Sequence, residues 1–159
     1  MINTRRLIGD DWQLHRDVQL AGLLDAPYAA LVTHAEAAQR SEADWRRRLA
    51  EAVQFMAFLD DVPVGMGGGS LPRGSNVPTL DSMWVAPEAR GKGVGDALVL
   101  AVLDWARSEH FDRIALWVLD GNDAAERLYR RHGFARTGQK EAMPRDATLV
   151  EVEMMRTLD

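Results

Sequence analysis

"PEARGKGVGDALV", residues 87–99, sets Gly91, Gly93 and Gly95 on alternate positions behind Arg90 and Lys92, then runs into an unbroken apolar stretch. Glycine loses more backbone freedom on folding than any other residue, so three at the mouth of a helix need a reason. Ahead of them, "TLDSMWVAP" (79–87) reads as a strand stopped by Pro87. Behind them Val94, Leu98, Ala101 and Trp105 recur at helical spacing, which predicts a helix to about Glu109. Strand, glycine-rich turn, helix is an arrangement that binds phosphate. The first amides of a helix have no partner within it and carry partial positive charge, and a small residue lets the phosphate reach them. Arg90 and Lys92 add full charge at the same spot. The plainer reading is a tight turn, since glycine punctuates loops everywhere.

The spacing sorts the phosphate ligands. A Walker A loop ends Gly-Lys-Ser/Thr, whereas Lys92 precedes Gly93 and no Ser or Thr follows. A dinucleotide fingerprint needs Gly-x-Gly-x-x-Gly and an acidic residue after the next strand. Here the run is Gly91-x-Gly93-x-Gly95, one residue short, although Asp120 does end the next strand.

Working outward, the periodicities predict a strand near Thr4–Ile8 and a helix within residues 10–27, with Leu14, Val18, Ala21 and Leu24 inward and Pro27 closing it. A short helix follows in "SEADWRRRLA", opened by a Ser41–Asp44 capping box. A hairpin comes next, with strands near 52–59 and 62–68 about a turn at Asp60–Asp61. Leu71–Pro78 is a loop. After the glycine helix come the strand "RIALWVL" (113–119) and the helix "NDAAERLYRRH" (122–132), stopped by Gly133 with Phe134 as the apolar contact. Two strands near 134–140 and 147–156 finish the chain. The order β-α-α-β-β-β-α-β-α-β-β predicts a mixed α/β fold whose sheet is covered by helices.

The 159 residues fit a single domain, with no internal repeat, and 27% of them are charged. A net charge of −5 argues against a nucleic-acid partner. No apolar run is long enough to cross a bilayer, so no membrane role is expected. The chain has no cysteine, which removes disulfides, a thiol nucleophile and Cys-type zinc sites. "MINTRRLIGDDW" lacks the apolar core of a signal peptide, and a cytoplasmic location is the expectation. His15, His34, His110 and His132 are scattered without ligand spacing and predict no metal.

"RGKGVG" (90–95) resembles the Arg/Gln-x-x-Gly-x-Gly/Ala pyrophosphate loop of the GNAT superfamily of acyl-CoA-dependent N-acyltransferases. "NDAAERLYRRHGF" (122–134) is similar to that superfamily's second signature, Asn-x-x-Ala…Leu-Tyr-x-x-x-Gly-Phe. The two stand at the family's separation, and the likeness is specific from Thr79 to Phe134. It implies a mostly antiparallel sheet of about seven strands, splayed at its central strands and flanked by about four helices. It implies acetyl-CoA as co-substrate, with pantetheine lying in the splay against the backbone of Trp84 and Val85. The pyrophosphate would then sit on the amides of Arg90, Gly91, Lys92, Gly93, Val94 and Gly95. Arg90 and Lys92 either touch it or are ordinary exposed charges.

Asn122 serves as a helix N-cap, with an Asp123–Glu126 pair as the rival cap; by resemblance Asn122 also bonds the pantetheine arm. Tyr129 is the candidate acid, a phenol able to give a proton to the departing thiolate. Its competing role is core packing, because Ala125, Leu128, Tyr129 and His132 follow helical spacing. Asp81, on the strand before the loop, is the candidate base, with Ser82 on the opposite face. Trp12, Trp45 and Trp84 line an acceptor pocket or belong to the core. Arg130 and Arg131 either reach the coenzyme's 3′-phosphate or lie in solvent.

The activity expected is acetyl transfer to a primary amine by direct attack on the thioester. The acceptor, a small molecule or a protein N-terminus, is not written in any motif, and a homodimer stays open. A non-catalytic acyl-CoA-binding module and a dinucleotide-binding oxidoreductase are the alternatives.

Overall fold

The computed structural model describes residues 1–27 and 32–159. Strand β1 (Ile2–Arg6) leads through a 3₁₀ turn at Gly9–Asp11 into α1 (Trp12–Asp25), α2 (His34–Ala38) and α3 (Glu42–Glu51). Then come β2 (Val53–Leu59), β3 (Val62–Ser70), β4 (Thr79–Val85), a 3₁₀ turn at Pro87–Ala89 and α4 (Val94–Ser108). The chain finishes with β5 (Arg113–Leu119), α5 (Asp123–Arg131), β6 (Ala135–Met143) and β7 (Asp146–Thr157). The seven strands lie in the order β1-β2-β3-β4-β5-β7-β6. Every neighbouring pair is antiparallel except β4 and β5. A dinucleotide fold needs a largely parallel sheet, so that alternative is set aside.

The described residues form five α-helices where about four were expected. The extra one, α2, is five residues long, too short to show a periodicity. Its start carries the same signature as α3: Thr33 and Glu36 form a capping box, as Ser41 and Asp44 do. The hairpin turn falls where expected, with both Asp60 (φ 50°) and Asp61 (φ 68°) left-handed, the geometry that matches the twist of the flanking strands.

Each helix pair covers one face. Val18 of α1 and Leu49 of α3 pack on Met56 and Met66 together with Leu7. On the other face α4 supplies Val99 and Val102, and α5 supplies Tyr129, against Leu80, Leu116, Val118, Val152 and Met154. The inward face of α1 differs from the expected stripe. His15, Val18, Gly22 and Leu23 are buried, while Ala21 and Leu24 face solvent. The helix turns this way because Gly22 lies under the Trp84 ring, where a Cβ would stand 3.1 Å from Cδ2. No helix among the described residues is long and apolar enough to cross a membrane.

Candidate functional site

β4 and β5 meet in register only at Thr79 and Ala115, where the Ala115 amide donates to the Pro78 carbonyl at 3.0 Å. Beyond that point β4 stays with β3 as far as Val85 and β5 stays with β7 as far as Leu119. Two facing strand edges therefore part and leave main-chain donors and acceptors without a ladder partner, groups that ask for one.

β4 also carries a bulge. Met66 pairs with Trp84 and Gly68 with Asp81, so β4 has one residue more than β3, and Ser82 takes φ 55°. The extra residue resets the alternation of side chains. Asp81 and Trp84 consequently share the α1–α3 face, while Leu80, Met83 and Val85 pack on the α4 side. The ladder also fixes which backbone groups face the gap. The Ala86 amide donates to the Val64 carbonyl, and by antiparallel alternation Trp84 turns its own groups to β3 as well. The resemblance has Trp84 offer its backbone to a ligand along with Val85; of the two, it is Val85 that faces the gap.

The loop behind β4 is open. From Gly91 to Gly95 no main-chain N–H has a backbone acceptor among the described residues, and the first bond into α4 runs from Ala97 to the Gly93 carbonyl at 3.1 Å. Gly91 (φ 77°) and Gly93 (φ 88°) are left-handed, a conformation that side chains resist. A Cβ on Gly91 would meet nothing within 4 Å. Gly95 has a different reason to be small. A Cβ there would stand 3.1 Å from Leu128 Cδ2, so this glycine lets α4 and α5 close on one another.

The two cations differ. Lys92 is exposed and makes no ion pair among the described residues. Arg90 folds back: its Nε donates to the Val85 carbonyl at 3.0 Å and an Nη to Asp25 Oδ2 at 2.5 Å. Asp96, in the first turn of α4, accepts from Arg131 at 3.1 Å and contacts His132 Nε2 at 2.7 Å. Arg130 bonds Glu126, so the two arginines that were candidates for the 3′-phosphate are, like Arg90, held by carboxylates of the protein.

Asn122 is the N-cap of α5, its Oδ1 accepting from the Ala125 amide at 3.3 Å. The rival cap fails because Glu126 is buried and bound to Arg136 and Arg130. Those arginines, Arg136 first, hold its carboxyl below the usual range against the cost of burial.

Tyr129 packs in the core and keeps its hydroxyl unpartnered among the described residues. Its ring is buried beside Phe134 at a centroid distance of 6.1 Å. It belongs to the cluster containing Leu80 of β4 and Leu116 and Val118 of β5, the two strands that part. Its hydroxyl has no hydrogen-bond partner among the described residues. Burial pushes its pKa up to about 12, so the phenol keeps its proton. Asp81 lies on the opposite face of the sheet, accepting from the Ser70 hydroxyl at 2.7 Å. Desolvation raises its pKa against that bond. Gly68, between Asp81 and Gln54 in the cross-strand row, lets both close in: a Cβ there would stand 2.9 Å from Asp81 Oδ1 and 3.2 Å from Gln54 Oε1.

Of the tryptophans, Trp45 is fully buried core, and Trp12 and Trp84 are partly buried on the α1–α3 face. Trp45 meets His15 edge-on at 5.3 Å and has Arg40 5.0 Å over its ring. Burial first, then the charges of Arg40 and Arg48, lower the His15 pKa to about 4. No group of three or more His, Cys, Asp or Glu among the described residues could hold a metal ion. Asp25, Ser70 and Gln54 carry no local signal in the sequence; each joins the site through partners far away in the chain.

A mixed sheet parted at its parallel pair, with a glycine loop of free amides at the open end, is the arrangement that the sequence resemblance implies. The profile of the acetyltransferase (GNAT) family matches residues 18–134, and the chain belongs to that family. A mycothiol acetyltransferase from Renibacterium salmoninarum is 32% identical over 130 residues, covering 76% of this chain and 38% of its own. The chain thus spans less than half the length of that relative. Among solved structures, a GNAT-family acetyltransferase from Streptococcus pneumoniae superposes with a TM-score of 0.83 at 17% identity, over 100% of both chains. An N-acetyltransferase from Thermoplasma acidophilum, solved in complex with coenzyme A, gives 0.72 at 15% identity over 99% of each chain. At these identities the likeness is one of fold.

Proposed function

We propose that this protein is an N-acetyltransferase that carries the acetyl group of acetyl-CoA to a primary amine by direct attack on the thioester. The observation that carries the reading is the parting of β4 and β5 beyond Thr79 and Ala115, with the unpaired amides of Gly91–Gly95 at its open end. Pantetheine, an extended chain with two amides, suits such a gap, and the Val85 N–H is a donor for it. The diphosphate suits the loop, with Gly91, Gly93 and Val94 giving their amides and Lys92 the free charge. Asn122, besides capping α5, offers its side-chain amide to the pantetheine arm.

The carboxylate of Asp81 takes the ammonium proton of the acceptor. The freed amine forms a C–N bond at the thioester carbonyl, the C–S bond breaks, coenzyme A leaves as the thiolate, and the nitrogen gives up its second proton to solvent. Tyr129 donates a hydrogen bond to that sulfur. A phenol at about 12 is a poor source of a whole proton for a thiol of ordinary pKa about 8.5, transfer costing about 5 kcal/mol. Its contribution is stabilisation of charge as the bond breaks. Base and donor on opposite faces of the sheet suit a reaction in which the nucleophile enters from one side and the leaving group is met from the other.

The acceptor is a small-molecule amine or a protein N-terminus. The mycothiol acetyltransferase likeness favours the small amine. The test is thiol release from acetyl-CoA across a panel of aminoglycosides, polyamines, amino sugars, amino acids and peptide N-termini. Amine-dependent release supports the reading. Coenzyme A binding with no release on any amine leaves the chain a non-catalytic acyl-CoA-binding module.

A further inference from the structure

Asp25 ends α1, and its Oδ2 gathers two donors from distant parts of the chain. Trp84 Nε1 of β4 donates at 2.9 Å and an Arg90 Nη at 2.5 Å. One turn earlier on the same helix, Gly22 lies against the Trp84 ring. The indole is therefore held by its face and by its N–H. Arg90 is held at two nitrogens, because its Nε also donates to the Val85 carbonyl at 3.0 Å. A planar guanidinium fixed at two nitrogens has its plane set, and its remaining N–H groups keep one orientation. Arg90 is the residue immediately before Gly91, so the paired guanidinium is anchored to the start of the open loop. The bonds from Trp84 and then Arg90 hold the Asp25 carboxyl below the usual carboxylate range, which keeps it ionised at neutral pH.

We infer that Asp25 is a positioning residue for the coenzyme's diphosphate: through Arg90 it presets the cation at the loop, and through Trp84 it ties the end of α1 to the same point. The inference rests on the coenzyme A reading above. Ordering a long side chain before the ligand arrives removes that entropy cost from binding, an effect of about five-fold in Kd. An exposed ion pair contributes little to stability by itself, so this contact serves binding more than folding.

The experiment is calorimetric titration of coenzyme A into the wild type, Asp25→Ala, Asp25→Asn, Arg90→Ala and the Asp25→Ala/Arg90→Ala double variant, with Tm recorded for each. Failure of the wild type to bind sinks the coenzyme A reading itself. Given wild-type binding, Asp25→Ala and Arg90→Ala each weaken Kd about five-fold, and the double variant is no weaker than Arg90→Ala. Asp25→Asn, which keeps an acceptor oxygen, stays within about two-fold of wild type. A wild-type Kd for Asp25→Ala overturns the inference. So do losses that add in the double variant, or an asparagine loss as large as that of alanine.

Discussion

Thr79 and Ala115 are the one Cα pair at which β4 and β5 stand in register, and the sheet opens from there. Both strands keep their outer partners to their ends, so the opening is built into the sheet and is not the fraying of a loose edge. In the function proposed, its two unpaired edges take an extended ligand rich in amides, and side chains on either face of β4 and β5 supply the chemistry.

Removing the Tyr129 hydroxyl tests the leaving-group side. Tyr129→Phe keeps the ring packed on Phe134 and deletes only the donor. Once an acceptor is in hand, kcat is expected to fall about a hundred- to a thousand-fold, with coenzyme A affinity unchanged. Steady-state thiol release and titration separate the two. An unaltered kcat would leave Tyr129 a core residue alone.

Asp81 gives a prediction with a definite sign. Burial raises its pKa above the usual 3.8, so as pH rises the unfolded chain gives up this proton before the native state does. Stability therefore falls as pH rises from about 3.8 through the native value. Asp81→Asn is expected to raise Tm at pH 7 while abolishing base catalysis, and the stability gain is expected to vanish at low pH. Thermal melts across pH check this; an Asp81→Asn variant less stable than wild type at pH 7 would contradict it.

His15 has the opposite sign. With its pKa lowered from 6.5 to about 4, the unfolded chain takes up a proton first as pH falls. The difference corresponds to about 3 kcal/mol, present above pH 6.5 and lost between about 6.5 and 4. His15→Phe keeps the edge-on contact with Trp45 and is expected to flatten that acid limb. Parallel denaturation midpoints for variant and wild type from pH 7 to pH 4.5 would count against it.

Gly69 is a packing test on the face of the sheet opposite Asp81, between the two β3 residues that contact that carboxyl. A Cβ there would stand 2.6 Å from the Trp105 ring, and that ring is backed by Phe111 at 5.9 Å. Gly69→Ala is expected to cost about 1–3 kcal/mol, read as a lower urea midpoint with an unchanged slope.

Much of this was legible in the chain because it is local. The glycine loop, the apolar run of β5, the Asp60–Asp61 turn and the Gly133 stop each rest on neighbours in sequence. The Ser82 bulge was not, since nothing marks a serine that must take a positive φ. Nor was the bond of Asp25 to Trp84 and Arg90, which joins residues 59 and 65 positions apart. Gly95 completes an alternating run by eye, yet its partner is Leu128 on another helix. Trp84 sits in the right strand, but only the ladder tells which of two adjacent residues turns to the gap.

A crystal structure with coenzyme A bound puts the whole account at risk in one step. We expect pantetheine between β4 and β5 beyond Thr79, and diphosphate oxygens within hydrogen-bond distance of amides in Gly91–Gly95. Coenzyme A lodged outside the gap, or a loop whose amides stay clear of the diphosphate, would refute it.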